Sequence, residues 1–291
     1  MPFSGGNATP PAFDTGYQFA PEAGPPPDGY PQLPESADLA RYGRIGKPGW
    51  TFRQTVLGTL ITVVPWLVIL IGSQLALPAS GGAQHRLPVV VDLVGGIVAF
   101  VFTAVVEGAF LIAPIWFALR TRPPGTSIRF GLRSLGIRST PWLPAVGWFA
   151  AGIAIMLVIV YPGYALFVQL FHLQLQTNVE AITREATYAP LTVAGTLAGA
   201  VLVAPFCEEI FFRGYLFAGL LSKMPVWVAT IVSALLFTLV HGDIGSAIPL
   251  LAIGLILSVL RWKTGSLWPG IALHAFNNAL ATLTLLPVLL H

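Results

Sequence analysis

Charged side chains are scarce in this chain of 291 residues. Asp, Glu, Lys and Arg together make up 9% of it, whereas hydrophobic residues make up 55%, and the mean hydropathy is +0.77. A soluble globular domain carries about 25% charged residues. The composition therefore excludes an ordinary soluble protein and predicts a polytopic integral membrane protein.

Cysteine is nearly absent, and two hydrolase signatures are missing altogether. Cys207 is the single cysteine, which excludes an intramolecular disulfide; a free cysteine is usually a small buried apolar residue, and that role is expected here. The sequence contains neither the His-Glu-x-x-His motif of zincin proteases nor the Gly-x-Ser-x-Gly motif of α/β-hydrolases. It also lacks a short apolar run after a basic start, so we expect no cleavable signal peptide.

Three parts are predicted along the chain. Residues 1–50 form a disordered, Pro/Gly-rich cytoplasmic tail, residues 51–180 form three N-terminal transmembrane helices with their loops, and residues 181–291 form a C-terminal transmembrane core. The fold class is all-α with about seven transmembrane helices, or eight if one long segment divides. The predicted spans cover approximately residues 55–77, 89–119, 143–171, 191–221, 226–241, 247–260 and 267–290.

The basic residues favour one orientation in the membrane. If the spans alternate, twelve Lys and Arg residues outside the spans fall on one side, and Arg86 and Arg184 fall on the other. The positive-inside rule then predicts a cytoplasmic N-terminus. The net charge of +3 is explained by these loops, so we expect no nucleic-acid partner.

Ionisable residues interrupt the fourth span at Glu208, Glu209 and Arg213. An unpaired charge at bilayer depth costs from about 2.5 to about 17 kcal/mol, so such groups are usually paired and functional. Glu209 and Arg213 are four residues apart in the favourable acid-first order, which predicts an ion pair that holds the helix. Glu208 is rotated by about 100° from Glu209 and stays free to accept a proton.

Further polar residues occur in the fifth and seventh predicted spans. His241 ends the fifth span, and His274 and Asn278 lie one turn apart in the seventh. Measured from the predicted cytoplasmic ends of their helices, Glu208, His241 and Asn278 lie at depths of roughly 20, 22 and 17 Å. His274 lies at a depth of only about 10 Å. We expect these side chains to meet in one mid-membrane cavity, with His274 as the poorest fit.

Two more polar residues have weaker assignments. Glu107 is an isolated acid in the second span, and we expect it to pair with a basic group of the bundle rather than to act in catalysis. Asn277 is expected to form an interhelical hydrogen bond, which is a frequent use of polar residues in spans.

A carboxylate and a histidine together activate water, and a second histidine with an asparagine amide stabilises the oxyanion formed on a carbonyl. These parts suit peptide-bond hydrolysis without a covalent intermediate. Their order and spacing resemble the motifs of the CAAX prenyl-protease and bacteriocin-processing family, which includes the Ras-converting endopeptidases. The resemblance covers about residues 191–290 and rests on Glu208-Glu209-x-x-x-Arg213, Phe237-x-x-x-His241 and His274-x-x-x-Asn278.

The resemblance implies a helical intramembrane glutamate endopeptidase in a bacterial plasma membrane. Glu208 and His241 would activate the water, and His274 and Asn278 would form the oxyanion hole, with Glu209 and Arg213 in supporting roles. The partners implied are membrane lipid and a peptide or protein substrate, either lipidated or embedded in the membrane. No cofactor is expected, and the sequence does not indicate an oligomeric state.

Three alternatives stand beside this interpretation. Glu208, His241 and His274 form a plausible zinc ligand set, so a metal-dependent protease of the same family is one. A non-catalytic membrane adaptor or immunity protein with the same fold is the second. The third is a transporter that uses the buried acids as proton relays, although the sequence shows no inverted repeat.

Overall fold

The computed structural model of the protein describes residues 42–76, 85–175 and 177–290, and all the regular secondary structure in these ranges is helical. The predicted all-α class is confirmed. The predicted disordered tail falls mainly on residues 1–41, which lie outside the described residues. The helices are α1 (Phe52–Ala76), α2 (Val89–Arg120), α3 (Ile128–Ser134), α4 (Trp142–Ile155), π1 (Met156–Val160), α5 (Tyr161–Leu170), α6 (Asn178–Tyr188), α7 (Pro190–Leu202), α8 (Ala204–Glu209), π2 (Ile210–Leu216), α9 (Phe217–Leu220), α10 (Val226–His241), α11 (Ala247–Thr264), α12 (Trp268–Leu283) and α13 (Leu286–Leu290).

Each of the seven predicted spans corresponds to a helix or to consecutive helices. Within the described ranges, five segments are long and apolar enough to cross a membrane: 52–72, 89–120, 142–170, 190–220 and 247–264. Helices α10 and α12 are shorter, with 16 residues each. In the seventh predicted span, helix α12 ends at Leu283 and α13 begins three residues later. Pro287 lies in the first turn of α13, where the missing N–H of proline costs no hydrogen bond.

The outer helices present apolar side chains to their surroundings. Helices α1, α2 and α4 expose many Val, Leu, Ile and aromatic residues, among them Val68, Phe102 and Trp142, which are 65%, 66% and 74% exposed. A helix that is hydrophobic all round is stable in lipid rather than in water. These helices therefore provide the lipid-facing surface of an integral membrane protein.

The centre of the bundle is the segment formed by α8, π2 and α9. Every residue from Cys207 to Leu221 is buried, so this segment meets protein on all sides. The sequence predicts one continuous helix here, and that prediction is wrong at two points. The helix breaks at Val203, because Pro205 has no N–H to continue the ladder, and it widens into π-helical turns from Ile210 to Leu216.

Helices α2 and α7 run side by side in the same direction and approach each other closely at two glycines. A Cβ atom on Gly96 would lie 2.4 Å from the carbonyl oxygen of Leu191, and one on Gly195 would lie 2.0 Å from the carbonyl oxygen of Gly96. Asp92 also joins the pair, because its carboxylate accepts hydrogen bonds from the backbone N–H groups of Leu191 and Thr192 at 2.9 and 2.8 Å. Asp92 thereby caps the start of α7, where the first N–H groups have no partner within the helix.

The close approach of α2 and α7 predicts the effect of adding one methyl group. Gly96→Ala should lower the free energy of unfolding by about 1–3 kcal/mol, because the methyl group would meet backbone atoms that cannot turn aside. Thermal unfolding of the purified protein in detergent measures this loss. Gly108→Ala on the same helix is the matched control, since nothing lies within 4 Å of its Cβ position; equal melting temperatures for the two variants would contradict the prediction.

Candidate functional site

Glu208 lies between two histidine rings from different helices. Its Oε2 atom is 3.9 Å from Nε2 of His241, at the end of α10, and 4.0 Å from Nε2 of His274, on α12. The same oxygen is buried and has no hydrogen-bond partner among the described residues. Both gaps are too long for a direct hydrogen bond and suit one bridging water.

Hydrogen bonds on the far side of each ring fix where the imidazole protons lie. Nδ1 of His241 is 2.7 Å from the carbonyl oxygen of Phe237, which can only accept, so Nδ1 carries the proton. Nε2 of a neutral His241 therefore presents a lone pair towards Glu208. Nδ1 of His274 lies 3.3 Å from Oε1 of Glu209, which holds that ring by a carboxylate in the same way.

Glu209 and Arg213 form the ion pair that the sequence predicts. Nη1 of Arg213 donates to Oε1 of Glu209 at 2.8 Å, and both side chains are completely buried. Nη2 of Arg213 donates to the carbonyl oxygen of Gly254 on α11 at 3.2 Å. The pair thus joins the central segment to α11 and, through the Oε1 atom of Glu209, to His274 on α12.

Phe237 is the packing platform for these groups. Its fully buried ring lies 4.6 Å from the ring of His241 and 5.4 Å from that of His274, centre to centre. The guanidinium carbon of Arg213 lies 4.3 Å from the same ring centre, which is a favourable cation–π distance. The phenylalanine one turn before His241 therefore sets the positions of both histidines.

His274 occupies a central position, and the depth estimate that made it the poorest fit is wrong. That estimate placed the start of its helix level with the ends of the other helices. Leu267, just before α12, is instead buried at 1% exposure and donates its backbone N–H to Gly136 at 2.9 Å. A Cβ atom on Gly214 would lie 3.3 Å from the side chain of Leu267, so α12 begins level with the π2 turns. His274 comes seven residues after Leu267, and Glu208 comes six residues before Gly214, so the two side chains reach the same level.

Asn278 is held at the edge of this cluster. Its Nδ2 donates to the carbonyl oxygen of Ala200 on α7 at 2.8 Å, and its Oδ1 accepts from Nδ2 of Asn277 at 3.1 Å. Asn277 in turn accepts a hydrogen bond from the hydroxyl of Tyr161 on α5. The expected interhelical hydrogen bond of Asn277 is confirmed, and it orients the neighbouring amide of Asn278.

The sequence predicts that Glu107 pairs with a basic side chain of the bundle. It is buried, at 8% exposure, and no basic side chain pairs with it within the described part of the chain. That prediction is wrong, because α2 packs against α8 so that Glu107 faces Cys207 and Glu208 rather than a cation. The sequence signal was present, since an acid deep in an apolar span is itself a functional indication. Cys207 is buried, at 3% exposure, as expected.

Glu208, His241 and His274 are the residues that the sequence suggests as a zinc ligand set. Among the described ranges, no three His, Cys, Asp or Glu side chains are placed so that they could hold one ion. Glu208, His241 and His274 lie around a gap suited to water, and Glu209 engages the second nitrogen of His274.

Comparisons with known proteins agree with the motifs. The model of a family described as "Type II CAAX prenyl endopeptidase Rce1-like" matches residues 190–280, about a third of the chain. Over 101 residues the chain is 29% identical to the protein named "Putative membrane peptidase YdiL" of Bacillus subtilis (strain 168). That alignment covers 35% of this chain and 40% of the relative's length. No solved structure matches the chain.

The resemblance to the CAAX protease family is confirmed by these matches. Residues 190–280 match the model of the Rce1-like family, and the chain spans less than half the length of the relative named "Putative membrane peptidase YdiL". The matched residues include Glu208, His241, His274 and Asn278. Glu107 lies outside them.

Breaking the buried ion pair should destabilise the protein strongly. Arg213→Met leaves the Glu209 carboxylate buried without its cation, and we expect a loss of about 3–5 kcal/mol in the free energy of unfolding. The double variant Glu209→Gln with Arg213→Met should recover most of that loss, because no uncompensated charge remains. Thermal unfolding of the single and double variants in detergent tests this, and a double variant no more stable than Arg213→Met would contradict it.

Proposed function

We propose that the protein is a membrane-embedded endopeptidase that cleaves a peptide bond with a water activated by Glu208 and His241. The observation that supports the proposal is the position of the Glu208 Oε2 atom, which lies 3.9 and 4.0 Å from two imidazole nitrogens and has no hydrogen-bond partner among the described residues. A water in that gap would have a base on one side and a ring acceptor on the other. General bases of this kind contribute about 10²–10⁴-fold to rate.

The proposed reaction uses only the water and side chains of this protein. Glu208 takes one proton from the water as the water oxygen bonds to the carbonyl carbon, and His241 holds the water through its Nε2 lone pair. The carbon–nitrogen bond then breaks, and the departing nitrogen receives the proton from Glu208. The products are one carboxylic acid and one amine, and Glu208 returns to its starting state.

His274 and Asn278 are proposed to stabilise the oxyanion of the tetrahedral intermediate. Nδ1 of His274 lies 3.3 Å from Oε1 of Glu209, and its Nε2 faces Glu208 on the other side of the ring. Nε2 would donate a hydrogen bond to the oxyanion when it carries a proton. The Asn278 amide has two N–H bonds, and Ala200 engages its nitrogen at 2.8 Å, which leaves the second N–H for the oxyanion.

The substrate proposed is a peptide that reaches the site from the membrane, either lipidated or embedded in it. The surrounding helices are apolar on their outer faces, and the matching family is described as a type II CAAX prenyl endopeptidase. Following the basic loops, we propose a cytoplasmic N-terminus in a bacterial plasma membrane.

Replacing the base should abolish turnover without unfolding the protein. Glu208→Gln keeps the shape but cannot accept the water proton, so kcat should fall by about 10²–10⁴-fold. The assay uses the protein in lipid vesicles and two quenched fluorescent peptides, one a prenylated CAAX tail and one an unmodified apolar helix. Glu185→Gln, an exposed acid on α6, is the control that should retain full activity. Undiminished cleavage by a folded Glu208→Gln variant would exclude this mechanism.

Removing metal ions should leave activity intact, because the proposed steps use water, carboxylate and imidazole alone. The purified protein is dialysed against EDTA and 1,10-phenanthroline, and its cleavage rate is compared with that of an undialysed sample. Metal content measured on both samples provides the control. A rate lost on dialysis and restored by zinc would favour the metal-dependent alternative.

A further inference from the structure

Glu107 lies at the same level of the bundle as Glu208. Helix α2 runs parallel to the central segment, and its packing is fixed on both sides of Glu107. One turn before it, Thr103 lies against Gly199, where an added Cβ would be 2.7 Å from the threonine side chain. One turn after it, the ring of Phe110 packs edge-on to Phe211 at 5.2 Å. Between these contacts, residue 107 faces α8.

No basic side chain of the described residues forms an ion pair with the carboxyl of Glu107. Glu107 is only 8% exposed, and its Oε2 atom has no hydrogen-bond partner within the described ranges. Its ionisable neighbours are Glu208 and Cys207 on α8. The nearby guanidinium of Arg213 is engaged by Glu209 and by the carbonyl oxygen of Gly254.

A buried carboxyl in this position is most stable as the neutral acid. Burying an ionised carboxylate without a partner is so unfavourable that the group takes up a proton instead, and a second carboxylate beside it acts in the same direction. Of the acids Glu107, Glu208 and Glu209, the last is paired with Arg213. The other two acids, Glu107 and Glu208, are therefore more stable when one of them is protonated than when both are ionised.

We propose that Glu107 is a positioning residue of the same site, a permanently neutral acid that donates a hydrogen bond to the water beside Glu208. This inference rests on the proposed function, which supplies that water. The proton stays on Glu107 throughout, so no bond to it breaks. Its effect is to leave Glu208 as the one unpaired carboxylate in the cavity and to orient the water lone pairs.

Two substitutions at Glu107 test whether its side chain acts as a neutral hydrogen-bond donor or as a charged group. Glu107→Gln keeps a hydrogen-bond donor of the same shape and should retain kcat within about threefold, whereas Glu107→Leu removes the donor and should lower kcat about tenfold or more with KM unchanged. Asp92→Asn on the same helix is the matched control, because Asp92 caps α7: it should lower the melting temperature and leave kcat unchanged. A Gln variant as inactive as the Leu variant, or a Leu variant as active as wild type, would overturn the proposal.

An infrared measurement tests the neutral acid without any turnover. The spectrum of wild-type protein minus that of Glu107→Gln should contain the carbonyl band of a protonated carboxylic acid at neutral pH. Absence of that band would overturn the proposal even if the Leu variant failed to fold. A wild-type protein that shows the band but cleaves neither peptide would refute the proposed peptidase and support the neutral state of Glu107, so the two failures are distinguishable.

Discussion

Arg213 and Glu209 are both completely excluded from solvent and joined at 2.8 Å. Removing two charges from water costs several kcal/mol for each ion, and the cost is recovered only where further hydrogen bonds complete the pair. Here such contacts come from Gly254, His274 and the ring of Phe237, while Oε2 of Glu209 and Nε of Arg213 have no hydrogen-bond partner among the described residues. Because the pair requires each of these neighbours, it fixes α11, α12 and α10 around the central segment.

The geometry of Glu208 follows from that arrangement. Glu209 takes the guanidinium, so Glu208 is left in the same buried place without a permanent cation. The two histidines are each held through Nδ1, His241 by a backbone carbonyl and His274 by Glu209, and both turn Nε2 towards Glu208. A carboxylate that is short of partners and faces two imidazoles can hold and deprotonate a water, which is the basis of the proposed hydrolysis.

The interruptions of the central helix contribute to the same geometry. Pro205 breaks the helix just before the acids, and π-helical turns follow them from Ile210 to Leu216. A π turn places an extra residue in the helix and is frequent at functional sites. The segment from Cys207 to Leu221 is buried on all sides, so its irregular backbone is enclosed by protein rather than exposed to lipid, as the membrane requires.

The sequence alone determined the membrane class, the approximate bounds of seven apolar helical segments and the ion pair of Glu209 with Arg213. Hydropathy and four-residue spacing are local properties of the chain, so both can be read without the fold. The motif spacing also determined the family resemblance. Only the tertiary structure decided that His274 lies beside Glu208 and that Glu107 faces the same acid without a cation. Those facts depend on where α12 begins within the protein and on how two close-packed glycines set α2 against α7, and such relations between distant segments leave no periodic signal in the sequence.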